Sequence, residues 1–560
     1  MQVITLIPIV RGIGKDELTY FSTLPVKVGD IATVTINSRE VRGIVTDVLD
    51  ARTAKNSVKR GDFALKKVLK IEPGFIAPSV ISVAKETSDY FACSVSQVLG
   101  SMYPKNVLNE VESKKLPCLP AGRKVERNHP SPSGRGRGGV AIEGTRQDRF
   151  VWIQKNLIKR NMKVLYISPS NHELAKAKKV FNDTEIICVS PEYGFVWLPY
   201  VDTIILDNES GAGYHDNSRA QIDFKKVYEF HALENKQQII FADNVLDLKY
   251  FANPKSGQHR VLTTFPKVMV VKKEKTALHN SWLVSKEAVG LTEKILAKNS
   301  RMFFFAPRKS IASITVCGDC GETVQCETCK RPLMLARKNG KRIFICQKCS
   351  QITQVDISCA SCNSWKLRPL GVTVDSVADE LERLFPKATV LRVSGDITKT
   401  KTQLAKIIKQ FYATSGALLV GTELALPYLE QLISYSVISS IDSFLSGRSL
   451  SGTDKAARII FEVATLAHEK VLVETSDPHQ QFFQDISDGG GLTSAMLKTY
   501  REHELAERKK FNYPPYSIII KINSEIFFIN KEKWPDAELV ARIRALPKGS
   551  TYTIDANSVV

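Results

Sequence analysis

A cluster of cysteines constrains the fold of this chain more than any other feature of its sequence. Eight of the 11 cysteines fall between residues 317 and 362, in four Cys-x-x-Cys pairs: Cys317/Cys320, Cys326/Cys329, Cys346/Cys349 and Cys359/Cys362. A Cys-x-x-Cys turn directs two thiolates at one ion, and two such turns complete a tetrahedral shell of four sulfurs. Because the segment has too few apolar residues to fold by burial alone, metal is expected to supply its folding energy. The cluster therefore predicts two structural Zn²⁺ ions.

Two other chemistries use such pairs, namely iron–sulfur clusters and redox dithiols. Eight cysteine ligands fill all four positions around each of two ions. No position is left for a substrate, which favours structural over catalytic zinc. The spacing leaves the pairing open, because neighbouring pairs can share an ion or the outer pairs can enclose the inner ones. The three remaining cysteines, Cys93, Cys118 and Cys188, are predicted to be small buried apolar residues.

Size and charge narrow the class of protein. A chain of 560 residues predicts about three to five domains. Its 78 lysines and arginines outnumber 58 acidic residues, and this net charge of +20 predicts a polyanionic partner.

Apolar runs stay shorter than the roughly 18–20 residues that cross a bilayer. The apolar stretch 1–10 is too short for a signal peptide and lacks a basic leader. We therefore predict a cytoplasmic protein without membrane contact.

From residue 140 onward, short apolar runs alternate with helix-like segments, which is typical of parallel α/β sheets. The runs form two series, 164–167, 185–189, 203–206 and 238–241, then 302–305, 389–393, 417–420 and 437–438. The cysteine cluster interrupts the second series after its first strand. The sequence therefore predicts two α/β units, the second of which carries an insertion.

The residues before this region differ in pattern. Runs at 30–36 and 41–45 predict a hairpin in a small β-barrel or sandwich, and residues 77–112 have the apolar stripe of helices. Residues 114–139 are dominated by Pro, Gly, Ser and Arg, which predicts a flexible basic linker. The region after residue 513 is predicted to be a short α+β piece.

Several of these segments together resemble one family, the primosomal protein N′ (PriA) family of bacterial replication-restart DNA helicases. The resemblance is strongest in the zinc segment 317–362 and its flanks 305–310, 370–372 and 378–386. It extends to a helicase-type motif at 421–423 and to the approach to the C-terminal piece at 507–516. Near the N-terminus it includes the segments 26–30, 42–45 and 89–94. It implies a multidomain α/β protein with two RecA-like parallel helicase lobes and a double-zinc insertion.

The resemblance also implies an order of domains along the chain. They are a 3′-end DNA-binding β domain (1–72), a winged-helix-like segment (73–113), the basic linker (114–139), a degenerate helicase lobe 1 (140–270), helicase lobe 2 (271–316 and 366–490), the zinc insertion (317–365) and a truncated C-terminal domain (491–560). In such proteins the outer cysteine pairs share one zinc and the inner pairs the other. By this resemblance Cys317, Cys320, Cys359 and Cys362 hold the first ion, and Cys326, Cys329, Cys346 and Cys349 hold the second.

The N-terminal domain of such a protein is expected to hold a single-stranded 3′ end. Tyr20 and Phe21 are candidates for stacking on a base, or else for ordinary core packing. Lys27, Arg39 and Arg42 are candidates for phosphate contacts.

The sequence lacks three groups of residues that a helicase needs to bind and hydrolyse ATP. A phosphate loop needs G-x-x-x-x-G-K-[ST], and residues 142–149 contain neither the lysine nor the length. After the strand 203–206 the chain reads Asp207-Asn208-Glu209-Ser210, so an amide replaces the carboxylate that activates water. The stretch 462–469, where the family presents arginines to the γ-phosphate, has none. Asp207 and Glu209 are therefore predicted to be remnants of a degenerate nucleotide site, and we assign no catalytic residue.

The resulting hypothesis is a PriA-like protein that binds forked or single-stranded DNA and recruits replication-restart or helicase-loading proteins without unwinding. Bound ATP and Mg²⁺ are not required by this hypothesis. Two alternatives remain open. One is an active 3′–5′ ATP-dependent helicase with a divergent phosphate loop, and the other is a zinc-stabilised protein-interaction scaffold without a DNA role.

Overall fold

The computed structural model describes most of the chain, in ranges that carry all statements below: 2–9, 17–50, 65–72, 76–112, 140–158, 162–182, 185–252, 259–261, 267–272, 283–307, 314–320, 322, 324–327, 333–338, 341–346, 352–354, 358–370, 372–395, 397–445, 450–475, 478–487, 494–523, 525–547 and 549–555. They divide into two compact units, one of Met1–Thr263 with Leu505–Val559 and one of Thr264–Glu504. The predicted linker 114–139 lies outside the described residues.

A six-stranded sheet forms the N-terminal part of the first unit. Its strands are β1 (Gln2–Pro8), β2 (Leu18–Ser22), β3 (Ile31–Ile36), β4 (Arg39–Asp50), β5 (Lys66–Lys67) and β6 (Lys70–Glu72). β5 and β6 occupy opposite edges although they follow one another in the chain. Between them Val68 N donates to Phe21 O at 3.0 Å and Leu69 N to Thr33 O at 2.9 Å. The segment 65–72 therefore closes the sheet into the small barrel that the alternation predicted.

The predicted hairpin joins β3 to β4 through a tight turn. Asn37 and Ser38 have φ angles of 46° and 62°, both in the left-handed region that a type I′ turn requires. This turn matches the right-handed twist of the flanking strands, but a serine side chain is strained there.

Ser38→Gly is expected to raise the free energy of unfolding of the barrel by about 0.5 kcal/mol, because relief of the left-handed strain outweighs the added freedom of glycine in the unfolded chain. Hydrogen exchange of the β3 and β4 amides measures this change. Ser38→Ala is the matched control, since alanine keeps the strained Cβ. Equal protection in the two variants would contradict the argument.

Three helices follow the barrel, α1 (Pro78–Tyr90), α2 (Val95–Met102) and α3 (Lys105–Glu112). Ser94 begins α2 with a capping box, in which its side chain accepts from Gln97 N and the Gln97 side chain accepts from Ser94 N. The helices contribute Val80, Val83, Val98 and Leu99 to the main core of the unit. The predicted helical character of 77–112 is confirmed.

A parallel sheet completes this region, with the spatial order β12-β7-β11-β10-β8-β9. Its strands are β7 (Val140–Glu143), β8 (Val164–Ile167), β9 (Ile186–Val189), β10 (Thr203–Asp207), β11 (Gln238–Asp243) and β12 (His259–Val261). Its helices are α4 (Arg146–Asn156), α5 (Asn171–Val180) and α6 (Phe224–Glu234). Every pair in the sheet is parallel. The first predicted α/β series is thus confirmed, with β8 matching its predicted bounds.

The second unit contains a second parallel sheet, ordered β13-β23-β22-β14-β21-β20. The strands of this unit are β13 (Lys267–Lys272), β14 (Met302–Phe305), β15 (Ile314–Cys317), β16 (Leu333–Lys338), β17 (Lys341–Cys346), β18 (Ile352–Gln354), β19 (Leu367–Leu370), β20 (Val390–Val393), β21 (Leu418–Gly421), β22 (Ile433–Ile438) and β23 (Ala467–Thr475). Strands β15–β19 form separate small sheets inserted between β14 and β20. The cysteine-rich segment therefore interrupts the second α/β series where predicted.

The helices of the second unit are α7 (Lys286–Ala297), α8 (Val374–Leu384), α9 (Lys401–Ala413), α10 (Asp442–Leu445), α11 (Gly452–Leu466) and α12 (Gln481–Ser487). Helix α13 (Ser494–Lys510) spans the boundary of the two units. The all-apolar strand β14 is fully buried, as expected for a central strand of a parallel sheet.

The C-terminal piece is the predicted α+β element and belongs to the first unit. It comprises β24 (Ser517–Ile522), β25 (Glu525–Asn530), α14 (Ala537–Arg544) and β26 (Tyr552–Ile554). It packs on the end of α1, where Trp534 Nε1 donates to Tyr90 O at 3.1 Å and Arg544 pairs with Asp89 at 2.9 Å. None of the described helices is long and apolar enough to cross a membrane.

Candidate cysteine metal centre and remnant nucleotide site

The outer cysteine pairs are brought together by a two-stranded ribbon. Strands β15 and β19 pair antiparallel, with Cys317 opposite Leu367. Beyond the ribbon, Gly318 N donates to Lys366 O at 2.7 Å and Cys359 N to Ser364 O at 2.8 Å. The first bond holds the turn after β15 against the segment that leads into β19, and the second closes the turn that contains Cys359 and Cys362.

The four outer thiols have the spacing of a tetrahedral metal centre. The sulfurs of Cys317, Cys320, Cys359 and Cys362 all lie within 4.8 Å of one another. Cys317 Sγ is 3.5 Å from Cys362 Sγ, and Cys320 Sγ is 3.5 Å from Cys359 Sγ. Zinc–sulfur bonds of about 2.3 Å in a tetrahedron place sulfurs roughly 3.8 Å apart. The donor set and its geometry therefore fit a structural Zn²⁺.

In each of these two turns the backbone favours the thiolate of the first cysteine, whereas the neighbouring sulfurs raise the pKa of the second cysteine, Cys320 or Cys362. The backbone N–H groups of Cys320 and Asp319 lower the pKa of the Cys317 thiol to about 6. The backbone N–H groups of Ser361 and Cys362 likewise lower the pKa of Cys359. In both turns the first cysteine is buried and the second is exposed. Four thiolates would fill the shell, so an ion here stabilises the fold and leaves no position for a substrate.

The inner pairs are described in part. Cys326 and Cys346 belong to one small buried cluster with Leu333 and Phe344 of the β16–β17 hairpin. Cys329 and Cys349 lie outside the described residues, as does Cys118. The proximity of Cys326 and Cys346 is compatible with the inner pairing that the family resemblance implies. A second ion stays a prediction.

The first parallel sheet has only a short turn where a phosphate loop would lie. β7 ends at Glu143 and α4 begins at Arg146, so only Gly144 and Thr145 connect them. Gly144 has a φ of 153°, and its N–H donates to Asp243 O at 3.2 Å. The Thr145 hydroxyl caps α4 by accepting from Asp148 N at 3.2 Å. The backbone and hydroxyl groups that would hold phosphate and magnesium thus serve the protein itself.

An internal ion pair occupies the carboxyl end of β10. Arg149 Nε donates to Asp207 Oδ1 at 2.7 Å, and the Tyr166 hydroxyl donates to Asp207 Oδ2 at 2.5 Å. Arg149 Nη1 also donates to Gly144 O at 2.6 Å and to Asn244 Oδ1 at 2.7 Å. The side chains of Arg149 and Asp207 are 4% and 0% exposed. Both oxygens of Asp207 are therefore engaged inside the protein.

The electrostatics of this group follow from its burial. Burial alone would lower the pKa of the Arg149 guanidinium, but the Asp207 carboxylate raises that pKa above its ordinary value. Burial and the same carboxylate raise the pKa of Tyr166 well above its ordinary value. Arg149 is therefore a permanent cation that neutralises Asp207.

Glu209 lies in a second, separate ion cluster. Its Oε1 accepts from Lys225 Nζ at 2.8 Å, Lys249 Nζ at 3.0 Å and the Tyr250 hydroxyl at 3.0 Å. Burial would raise the pKa of Glu209, but Lys225 and Lys249 together lower it below its ordinary value. The remnant motif thus places its two carboxylates in structural ion pairs with different partners.

The stretch 462–469, in which the family resemblance implies arginines for the γ-phosphate, runs directly from a helix into a strand. Helix α11 ends at Leu466 and β23 begins at the next residue, Ala467. No loop separates these two elements in this described part of the chain. Gly421-Thr422-Glu423 does follow a buried strand, β21, and Glu423 pairs with Lys455 at 3.2 Å.

The residues predicted to bind DNA lie at different depths in the barrel. Tyr20 is a core residue whose hydroxyl donates to Thr35 O at 3.1 Å, which is the packing role that the sequence left open. Phe21, its neighbour on β2, is half-buried on the opposite face. Lys27 and Arg39 are exposed, and Arg42 is half-buried on β4. Phosphate contacts by these three cations stay a prediction.

The side chains that pair with Asp207 and Glu209 cannot be recognised in the sequence. Arg149, Tyr166, Lys225 and Lys249 all carry roles that only tertiary packing defines. One signal was available, since Arg149 ends the segment in which a phosphate loop is missing.

The chain is similar to several known proteins. Residues 6–104 match the family model for the PriA 3′DNA-binding domain. The chain is 25% identical to the replication restart protein PriA of Bacillus subtilis over 56% of this chain and 40% of that protein. It is 20% identical to PriA of Helicobacter pylori strain J99 over 94% of this chain and 87% of that protein. A solved structure of the DUF1998 helicase MrfA bound to DNA aligns with 82% of this chain and 68% of that one, at 8% identity and a TM-score of 0.34.

Two RecA-like parallel sheets, the second interrupted by a cysteine-rich insertion, define a multidomain α/β protein. The sequence matches to PriA proteins narrow the class of protein further. The chain is similar to PriA proteins over most of its length, and residues 6–104 match the model of the PriA 3′DNA-binding domain.

Proposed function

We propose that this protein is a fork-binding member of the PriA family that has lost ATP hydrolysis. It binds forked or single-stranded DNA in the cytoplasm and recruits replication-restart or helicase-loading proteins to it. Two Zn²⁺ ions, one on each set of four cysteines, stabilise the insertion. The single observation that carries the loss of hydrolysis is the Arg149–Asp207 pair beneath the two-residue turn between β7 and α4.

The pair argues against nucleotide chemistry on physical grounds. A magnesium ion bound through Asp207 would have to displace a buried guanidinium at 2.7 Å, leaving that cation without its counter-charge. A phosphate cannot use Arg149 instead, because its side chain is only 4% exposed. Removal of an arginine finger or loss of the phosphate-loop lysine already costs orders of magnitude in phosphoryl transfer.

DNA binding is supported by two independent observations. The 3′DNA-binding family model covers the barrel and the first two helices, residues 6–104. The net charge of +20 provides a sequence-independent attraction for phosphate. This attraction weakens as salt rises, because the counterions that the protein releases from the DNA then gain less free energy. The proposed partner proteins rest on the family alone.

The first test is ATP hydrolysis by zinc-loaded protein, with and without a forked DNA that carries a 3′ end at its branch. We expect the protein to bind the fork, seen as increased fluorescence anisotropy that falls steeply with salt, and to show no turnover above background. Arg149→Met/Asp207→Asn, which removes both charges of the buried pair together, is the matched control for contaminating ATPases.

Two results would overturn the proposal. Fork-stimulated turnover that disappears in Arg149→Met/Asp207→Asn, while fork binding is kept, would support an active helicase with a divergent phosphate site. Absence of any fork binding by the zinc-loaded protein would leave a protein-interaction scaffold without a DNA role.

A further inference from the structure

An exposed row of aromatic side chains lies on the C-terminal piece, which contains none of the residues of the sites described above. Phe511 is 56% exposed and Phe528 is 40% exposed, which is unusual for phenylalanine. Tyr513 lies between them, with ring centroids 5.9 Å from Phe511 and 5.7 Å from Phe528. These three residues are called the aromatic row below.

The row is mounted on a well-ordered scaffold. Tyr513 N donates to Arg508 O at 2.8 Å, and the Ser517 hydroxyl donates to Asn512 O at 2.6 Å. Phe528 is fixed by its position on β25, directly opposite Ile519 of β24. Ile519 is fully buried on the same face of the sheet, so the Phe528 ring lies beside a packed side chain. The exposed rings are thus presented to solvent by rigid backbone.

Positive charge surrounds these rings. Residues 508–533 contain six basic and two acidic side chains. Lys510 Nζ lies 5.4 Å from the centre of the Phe511 ring. Lys521 alternates onto the same face of the sheet as Phe528, since it pairs with Ile526 two residues away. Lys509 is exposed beside them.

We propose that the aromatic row is a stacking platform for the bases of single-stranded DNA, with the neighbouring lysines on the phosphates. Aromatic rings interleaved with basic residues are how proteins hold single strands without sequence preference. An apolar protein segment would be a poorer occupant, because burying these lysines against it leaves their charges unpaired. This inference rests on the proposed DNA-binding function and assigns it a second contact besides the N-terminal barrel.

The test compares two fluorescently labelled probes of equal length, a deoxythymidine oligonucleotide and an abasic oligonucleotide, on the full chain. We expect Phe511→Ala/Phe528→Ala to bind the deoxythymidine probe about tenfold or more weakly, because each base stack contributes about 1–3 kcal/mol. Affinity for the abasic probe is expected to be unchanged. Phe511→Trp/Phe528→Trp should restore the preference for bases, since tryptophan also stacks.

Leu233→Ala serves as the matched control, since Leu233 is a 54% exposed apolar residue of the same unit. An unchanged affinity of the double alanine variant for deoxythymidine would overturn the stacking platform while fork binding by the wild type still supports the proposed function. Equal losses on both probes would also overturn it. If the wild type binds neither probe nor the fork, the proposed function itself fails.

Discussion

Cys317→Ser is expected to release one Zn²⁺ per chain and to unfold the ribbon that joins β15 to β19. The expected loss of stability is large because structural zinc sites contribute roughly 10–16 kcal/mol of apparent binding free energy at neutral pH, and this free energy stabilises the fold. Cys317 is fully buried, and its sulfur lies 3.5 Å from that of Cys362. Metal analysis of the purified protein, together with limited proteolysis between residues 314 and 370, measures both effects.

Cys188→Ala is the matched control for this experiment. Cys188 is buried in the first unit, where burial raises the pKa of its thiol to about 12, so it is a poor metal ligand. Its loss should leave the zinc content unchanged. Wild-type levels of zinc and protease resistance in Cys317→Ser would show that the outer cysteines do not hold an ion.

Arg149→Ala is expected to destabilise the first parallel sheet by about 3–5 kcal/mol, since it leaves the buried Asp207 carboxylate without its counter-charge. Protection of the β10 amides against hydrogen exchange, measured by mass spectrometry, should then fall about a hundredfold or more. The pair is inaccessible to solvent, so screening by salt should change this result little.

Two further variants separate charge from packing at this position. Arg149→Met/Asp207→Asn removes both charges and should recover much of the lost protection. Arg542→Ala breaks an exposed pair with Glu525 and should cost under about 1 kcal/mol. A loss in the double variant as large as in Arg149→Ala would attribute the effect to the arginine's packing rather than to its charge.

The elements that the sequence predicted best are those whose patterns are local. The run 302–305 has apolar side chains on both faces, and it forms the buried central strand β14 with those bounds. The Cys-x-x-Cys spacing is equally local, because the ligand geometry of one ion dictates it. The β3–β4 hairpin follows from the alternating runs 30–36 and 41–45, although the turn at Asn37 and Ser38 is shorter than the stretch 37–40 that separates those runs in the sequence.

The remaining features depend on contacts between distant residues. Spacing left the cysteine pairing open, and the outer set is assembled by the pairing of β15 with β19. Arginine is normally an exposed residue, so nothing in the local sequence marks Arg149 as buried. The sequence allows Tyr20 either to stack on a base or to pack in the core. The contact of its hydroxyl with Thr35 O, across the barrel, decides for packing.

The position of the C-terminal piece has a consequence for the order of events during synthesis. Trp534 and Arg544 bond to the end of α1 more than 440 residues earlier, with all of the second unit between them in the chain. A ribosome must therefore complete the second unit before the first can gain its last layer. The second unit can mature while the first waits with part of its apolar surface uncovered, and such half-finished domains are the ones that chaperones engage.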